Sequence, residues 1–186
     1  MRSLALLTLT VALSLPAAAQ TGPQPSGYAG QQSRDIKALS TQEMSDLTAG
    51  RGMGLARVGE LNHYPGPAHV LELRDRLGLT PAQVTAVQAS FVQMETAAMQ
   101  LGAELIRRER MLDDAFKTGA VTLAVMGYET EQIGVLQGRL RAAHLAAHLE
   151  VRSVLGAEQV ATYDLLRGYS GPTSGPVAPA HGMHPG

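Results

Sequence analysis

Two long stretches of this chain place apolar side chains at alternating intervals of three and four residues, and that spacing admits few folds. From Pro81 onward, Val84, Val87, Phe91, Met94, Ala98, Leu101, Leu105, Leu112 and Ala115 fall on one stripe, which only Arg108 interrupts. From about Thr122 to Leu155, Met126, Ile133, Leu140, Ala147 and Val154 recur every seven residues, with Leu136, Ala143 and Val151 beside them. Such a period lines one narrow face of a helix, a heptad seam. Lys117 and Gly119 suit the end of the first helix, as a cation at the negative terminus and a left-handed cap. Only a few residues separate the two stretches, so the helices run antiparallel. Each covers on the order of 50 Å at 1.5 Å per residue. The expected fold is therefore all-α, a long antiparallel helical hairpin with shorter flanking helices. Narrow seams leave apolar surface that a second copy would cover, so a homodimer is expected.

Local signals place the helix starts. In Leu79-Thr80-Pro81-Ala82-Gln83-Val84, Thr80 can accept from the backbone N–H three residues on, and Gln83 can reach back to the N–H of Thr80. Pro81 suits the first helical position, and Leu79 with Val84 can close as a hydrophobic staple. Leu39-Ser40-Thr41-Gln42-Glu43-Met44 repeats the logic, and Leu155-Gly156-Ala157-Glu158-Gln159-Val160 repeats it with Gly156 as a weaker cap. Helices should begin near residues 41, 81 and 157. Shorter helices are expected over Pro67 to Leu77, stopped by Gly78, and over Glu158 to Arg167. The Gly50-Arg51-Gly52-Met53-Gly54 run predicts a break or close packing after the first helix. Gly127, Gly134 and Gly138 lie inside the second long helix, each costing up to about 1 kcal/mol relative to Ala. They imply either close backbone contact or a soft helix. Glu131, Gln132, Gln137 and Arg139 around them rule out a membrane span there.

The ends read differently. Arg2, an apolar run from Leu4 to Leu15, Pro16 and Ala17-Ala18-Ala19 form a secretory signal over residues 1–19, with cleavage before Gln20. The run is too short for a spanning helix, which needs roughly 20 residues. No cysteine follows it to carry a lipid anchor, and the chain has none to form disulfides. Residues 20–38 are expected to be a disordered arm, 39–168 the helical domain and 169–186 a disordered tail. Without Arg2, 14 basic residues stand against 16 acidic ones. That balance excludes nucleic acid as an expected partner, because phosphate neutralisation needs a basic face.

Chemistry-bearing residues are few. His144 and His148 sit one helical turn apart, a spacing that can hold Zn²⁺, Cu²⁺ or Ni²⁺. Equally, His144 edges the seam as a packing residue and His148 lies in solvent. His63, His69 and Glu150 are third-ligand candidates by residue type. His181, Met183 and His184 form a soft cluster near the C-terminus that could take up copper or nickel. Arg107, Arg108 and Arg110 beside Glu104, Glu109, Asp113 and Asp114 read as a solvated, salt-bridged face. No cysteine nucleophile or Gly-x-Ser-x-Gly elbow is present, and the glycines at 50, 52 and 54 fit no dinucleotide fingerprint. The chain is expected to be no enzyme and to require no cofactor.

The export signal, the long hairpin, Leu79-Thr80-x-x-Gln83 and its degenerate copy Leu155-Gly156-x-x-Gln159 together resemble the LTxxQ, or Spy/CpxP-like, group, which includes heavy-metal resistance and sensor proteins. The resemblance covers roughly residues 65–168 and departs at Gly156, where the group has Thr. It implies a soluble periplasmic protein, dimeric through its long helices and non-enzymatic. Such a protein acts as an ATP-independent chaperone or stress modulator, with unfolded envelope proteins or a membrane signalling partner as its targets, or as a metal binder. Arg108, interrupting the apolar seam, is then the candidate client-binding residue.

Overall fold

In the computed structural model, which describes residues 25–170, six helices and no strand appear among the described residues. They are α1 (Thr41–Thr48), α2 (Arg57–Glu60), α3 (Pro67–Glu72), α4 (Pro81–Thr118), α5 (Leu123–Val154) and α6 (Ala157–Arg167). None is long and apolar enough to cross a membrane. Residues 25–33 are a short run of turns. Residues 1–24, which hold the expected signal, and residues 171–186, including His181, Met183 and His184, lie outside the described residues.

The hairpin forms as the seams predict. α4 and α5 run 38 and 32 residues. They lie antiparallel: Arg108 meets Glu129, Ser90 meets Glu150 and Gln83 meets Val154. Gly119 closes α4 at φ 72°, the left-handed cap, with Lys117 in the last turn. Thr122 caps α5 by accepting from Val125 N. Ser40 and Thr80 each complete a capping box with Glu43 and Gln83.

Two apolar clusters hold the flanking helices. In one, Leu47 of α1 joins Ala98, Leu105, Ile133, Leu136 and Leu140 along the seam. The other fills the open end of the hairpin, where Val70, Leu77, Val87, Val151, Val160 and the fully buried Tyr163 meet. α1 lies so close to α4 that a Cβ on Gly102 would stand 2.2 Å from the Leu47 carbonyl oxygen. Gly127, Gly134 and Gly138 are the opposite case, since a Cβ on any of them meets nothing within 4 Å. Of the two readings open for these glycines, close backbone contact is excluded among the described residues.

Three boundaries move. α3 ends at Glu72 rather than Leu77. Turns follow, closed by Leu79 N–H on Arg74 C=O, and they bring Leu73, Leu77 and Leu79 onto the core that already holds Val70. So short a helix has little stability of its own, and packing decides where it stops. Residues 34–38 are not a loose arm: Ile36 is fully buried, Arg110 grips Asp35 at 2.6 and 3.1 Å, and Lys37 pairs with Asp113. At the other end, Tyr169 belongs to the folded unit, because its hydroxyl donates to Glu60.

Candidate functional site

The loop after α1 is shaped by backbone that favours glycine. Gly50 and Gly54 adopt φ of 64° and 77°, and Met53 between them adopts 46°. Gly50 also needs its missing side chain, since a Cβ would lie 2.9 Å from the Glu95 carbonyl oxygen. The loop can therefore settle onto α4 and reach over α5, where Gly52 covers the Nδ1–Cε1 edge of His144. Beneath it opens a cleft of about 690 Å³, walled by Phe91 and Met94 of α4, His144 and His148 of α5, Leu61 and Pro67.

His144 is 2 % exposed, and its Nε2 is sealed from solvent with no hydrogen-bond partner among the described residues. Burial, and then the neighbouring His148, push its pKa below the ordinary 6.5. The imidazole is thus held neutral. This dictates a pH response. The unfolded chain takes up a proton near pH 6.5 that the folded chain refuses until lower pH. Stability from this group is therefore complete above that value and is lost as the pH falls below it. Urea midpoints at about pH 7.5 and about pH 5.5 should fall more steeply in the wild type than in His144→Leu. Equal slopes would show that the ring titrates freely.

His148 is not a solvated residue. It is 9 % exposed, and its Nδ1 lies 2.7 Å from the Tyr64 carbonyl oxygen. A carbonyl only accepts, so Nδ1 carries a proton and donates to Tyr64, with Glu60 Oε2 3.7 Å away. Beside it, Glu60 ties the site together. Oε1 accepts from the hydroxyls of Tyr163 and Tyr169, Oε2 accepts from Gly66 N at 3.1 Å, and Arg167 Nε lies 3.6 Å away. Burial and the bond to Glu60 push the Tyr163 phenol up. Glu60 is thus occupied in joining α2 to α6.

The structure does not gather the third-ligand candidates around His144 and His148. His63 Nδ1 bonds the buried Asp164 at 2.7 Å, His69 pairs with Glu72 on its own turn, and Glu150 accepts from Ser90 at 2.6 Å. Among the described residues no group of three or more His, Asp or Glu side chains converges as a metal site would require.

Arg108 is not free to receive a client. Its Nη1 lies 3.2 and 3.3 Å from the two oxygens of the buried Glu129, its Nε bonds Glu104, and its guanidinium sits 5.6 Å from the Tyr128 ring centre. Arg107 and Arg108 together hold the Glu104 carboxyl down to about 2, the Arg107 hydrogen bond contributing most. The solvated-face reading holds for Arg107 and Arg110, which pair with Glu104 and Asp35. It fails for Glu109, whose burial raises its pKa.

The motif glutamines are consumed by the fold. Gln83 donates to the carbonyl of Val154 at 3.0 Å and to Gln159 Oε1 at 2.8 Å; Gln159 donates to Leu77 O at 3.3 Å and back to Gln83 Oε1 at 3.1 Å. Each amide oxygen also accepts from its own cap N–H, Thr80 or Gly156. Leu79 and Leu155 pack in the same end core.

No family model matches the chain, and neither a curated protein nor a solved structure matches it.

Sequence reasoning passed over Glu60, Glu129 and Asp164. Glu129 had a signal: it falls on the three-four spacing between Met126 and Ile133, a charge on the seam that answers Arg108. Glu60 had none, because its partners at 163 and 169 lie about a hundred positions away, on another element.

Proposed function

We propose that this chain is a Spy/CpxP-like, non-enzymatic binding protein of the bacterial periplasm that shields unfolded or stressed envelope proteins without ATP. One observation carries the reading. At the tip of the hairpin, Met111, Phe116, Leu123, Met126 and Tyr128 are all exposed, with Leu123 at 84 %. Burying apolar groups at such a patch is the physical basis of protein capture. Methionine adapts to partners of varied shape, as a surface for many clients requires. The neutral-to-acidic charge, the export signal and the paired motif copies support the same reading, and a second copy or a membrane signalling partner would use the same kind of surface. The purified protein should suppress aggregation of an unfolding client at equimolar ratio, and Phe116→Asp with Leu123→Asp should abolish most of that protection while leaving the helical circular dichroism unchanged. Failure of the wild type to protect would end the proposal, and full protection by the double variant would remove the tip from it.

A second reading, a periplasmic metal sensor or buffer, draws on His144 and His148 being held one turn apart on α5, with His148 oriented by the Tyr64 carbonyl at 2.7 Å. Calorimetry with Zn²⁺, Cu²⁺ and Ni²⁺ should give saturable heat that His144→Ala and His148→Ala each remove. No heat above background from the wild type would end this reading.

A further inference from the structure

The cleft under the glycine loop has the makings of a small-molecule site of its own, separate from the hairpin tip. Its volume of about 690 Å³ falls inside the range of about 300–1,000 Å³ usual for such sites. Phe91, Met94, Leu61 and Pro67 give it apolar walls. Two polar features on those walls lack a partner. The first is His144, 2 % exposed: its Nε2 is sealed away from the cleft, and its Nδ1, on the ring edge turned toward Gly52, bonds no group among the described residues. A buried polar group left unpaired is destabilising, so its presence on a cavity wall calls for an explanation outside the protein's own bonding.

The second is Arg57. Its Nη2 lies by Gly54, 3.1 Å from where a Cβ would stand. It forms no ion pair among the described residues, whereas the other two arginines at the cleft are occupied, Arg51 by Asp46 and Arg167 beside Glu60. Gly52 and Gly54 are two residues apart, a span of at most about 7 Å. The imidazole edge and the guanidinium tip therefore flank neighbouring points of one loop. Of the two carboxylates at the cleft, Glu60 is already saturated by Tyr163, Tyr169 and Gly66. The other, Glu95, lies at the Gly50 end of the loop.

We infer that the cleft binds a single-chain amphiphile with a carboxylate head, the head placed between His144 and Arg57 under Gly52–Gly54 and the apolar body laid along Phe91 and Met94. A carboxylate matches both unpaired groups, as it accepts from His144 Nδ1–H and pairs with the guanidinium. The apolar body matches the walls, where leaving water is favourable. A neutral His144 suits this role, because it brings a donor without a second buried charge.

The test titrates dodecanoate, below the concentration at which it forms micelles, into the purified and chelator-treated protein, with dodecyltrimethylammonium as the cationic control of equal chain length. Gly52→Leu fills the space over His144 at a position where an added Cβ makes only ordinary contact, 3.9 Å from Nδ1. Arg57→Gln removes the surface cation without touching the core. Dodecanoate should bind saturably, one per chain. Binding should weaken at least about tenfold in Arg57→Gln, the size of one lost charge-assisted contact, and disappear in Gly52→Leu. The ammonium should bind at least about tenfold more weakly than the carboxylate. Absence of saturable dodecanoate binding, binding untouched by either variant, or equal affinity for the ammonium would each overturn the inference. The aggregation assay on the hairpin tip reads a different surface, so either proposal can fail alone.

Discussion

Gly102→Ala should destabilise this protein although it replaces glycine by the best helix former in the middle of a helix. On propensity alone the change would gain about 1 kcal/mol. The added Cβ, however, would stand 2.2 Å from the Leu47 carbonyl oxygen and 2.8 Å from its carbon. Both atoms are backbone, so no side chain can swing aside. α1 must back away from α4, lifting Leu47 out of the cluster it shares with Ala98, Leu105 and Ile133. Overpacking of this kind costs about 1–3 kcal/mol, occasionally more. At roughly 2–4 °C per kcal/mol for a domain of this size, the melting temperature should fall by about 2–12 °C. Gly134→Ala and Gly138→Ala are the matched controls. They sit in α5 with open space around them, so each should gain about 0.5–1 kcal/mol. Thermal melts of the three variants decide the matter. A Gly102→Ala protein as stable as the wild type would mean that α1 does not dock where described. If the gain at Gly134 and Gly138 turns into a loss as protein concentration rises, that face is covered by a second copy.

The contrast among these glycines shows what the sequence could and could not convey. Their helical setting was legible, because the seams from Val84 to Ala115 and from Met126 to Val154 are periodic and long. Helix starts at 41, 81 and 157 were legible too, since a cap and its answering Glu or Gln lie within four residues of each other. What separates Gly102 from Gly134 is the neighbour across space, and Leu47 is 55 positions away in the chain. The same physics hid the far end of α3, Ile36 and Tyr169. Each belongs to a short segment whose conformation is set by the core it reaches rather than by its own period.

The candidate site was half legible for a related reason. His144 and His148 share a turn, so their proximity followed from helix geometry. Their burial did not, because it depends on the 49–54 loop and the Gly66 corner closing over α5. Arg108 was noticed as a break in one seam. Its role became clear only when Glu129, a break in the facing seam, was found opposite it. A charge on an apolar stripe signals either a site or a buried pair, and the facing helix decides which.

The paired glutamines carry the second large effect. Gln83→Glu keeps the oxygen that accepts from Thr80 N–H but removes the donor that serves both the Val154 carbonyl and Gln159 Oε1. Two acceptors are left facing a carboxylate at a half-buried junction of α4, α5 and α6. Net loss of neutral hydrogen bonds costs about 1 kcal/mol each, and an acceptor left unsatisfied adds more, so a destabilisation of about 2–4 kcal/mol is expected at pH 7. The sign with pH follows from the chemistry. Protonating the new carboxyl restores one donor, so the folded state raises its pKa above the unfolded value. The variant should therefore regain stability as the pH falls toward about 4, while the wild type does not gain. Gln83→Ala should lose a similar amount at neutral pH with no such recovery, and in a double-mutant cycle with Gln159→Ala the coupling should reach about 1 kcal/mol. Denaturant melts at two pH values would measure all three. Zero coupling would mean that the two motif copies act as independent helix caps. The expected coupling would make them one joint, in which each copy ends its own hydrogen-bond account only by completing the other's, and Gly156 can stand where Thr does in the first copy because the amide of Gln159, rather than a cap side chain, holds that helix start in place.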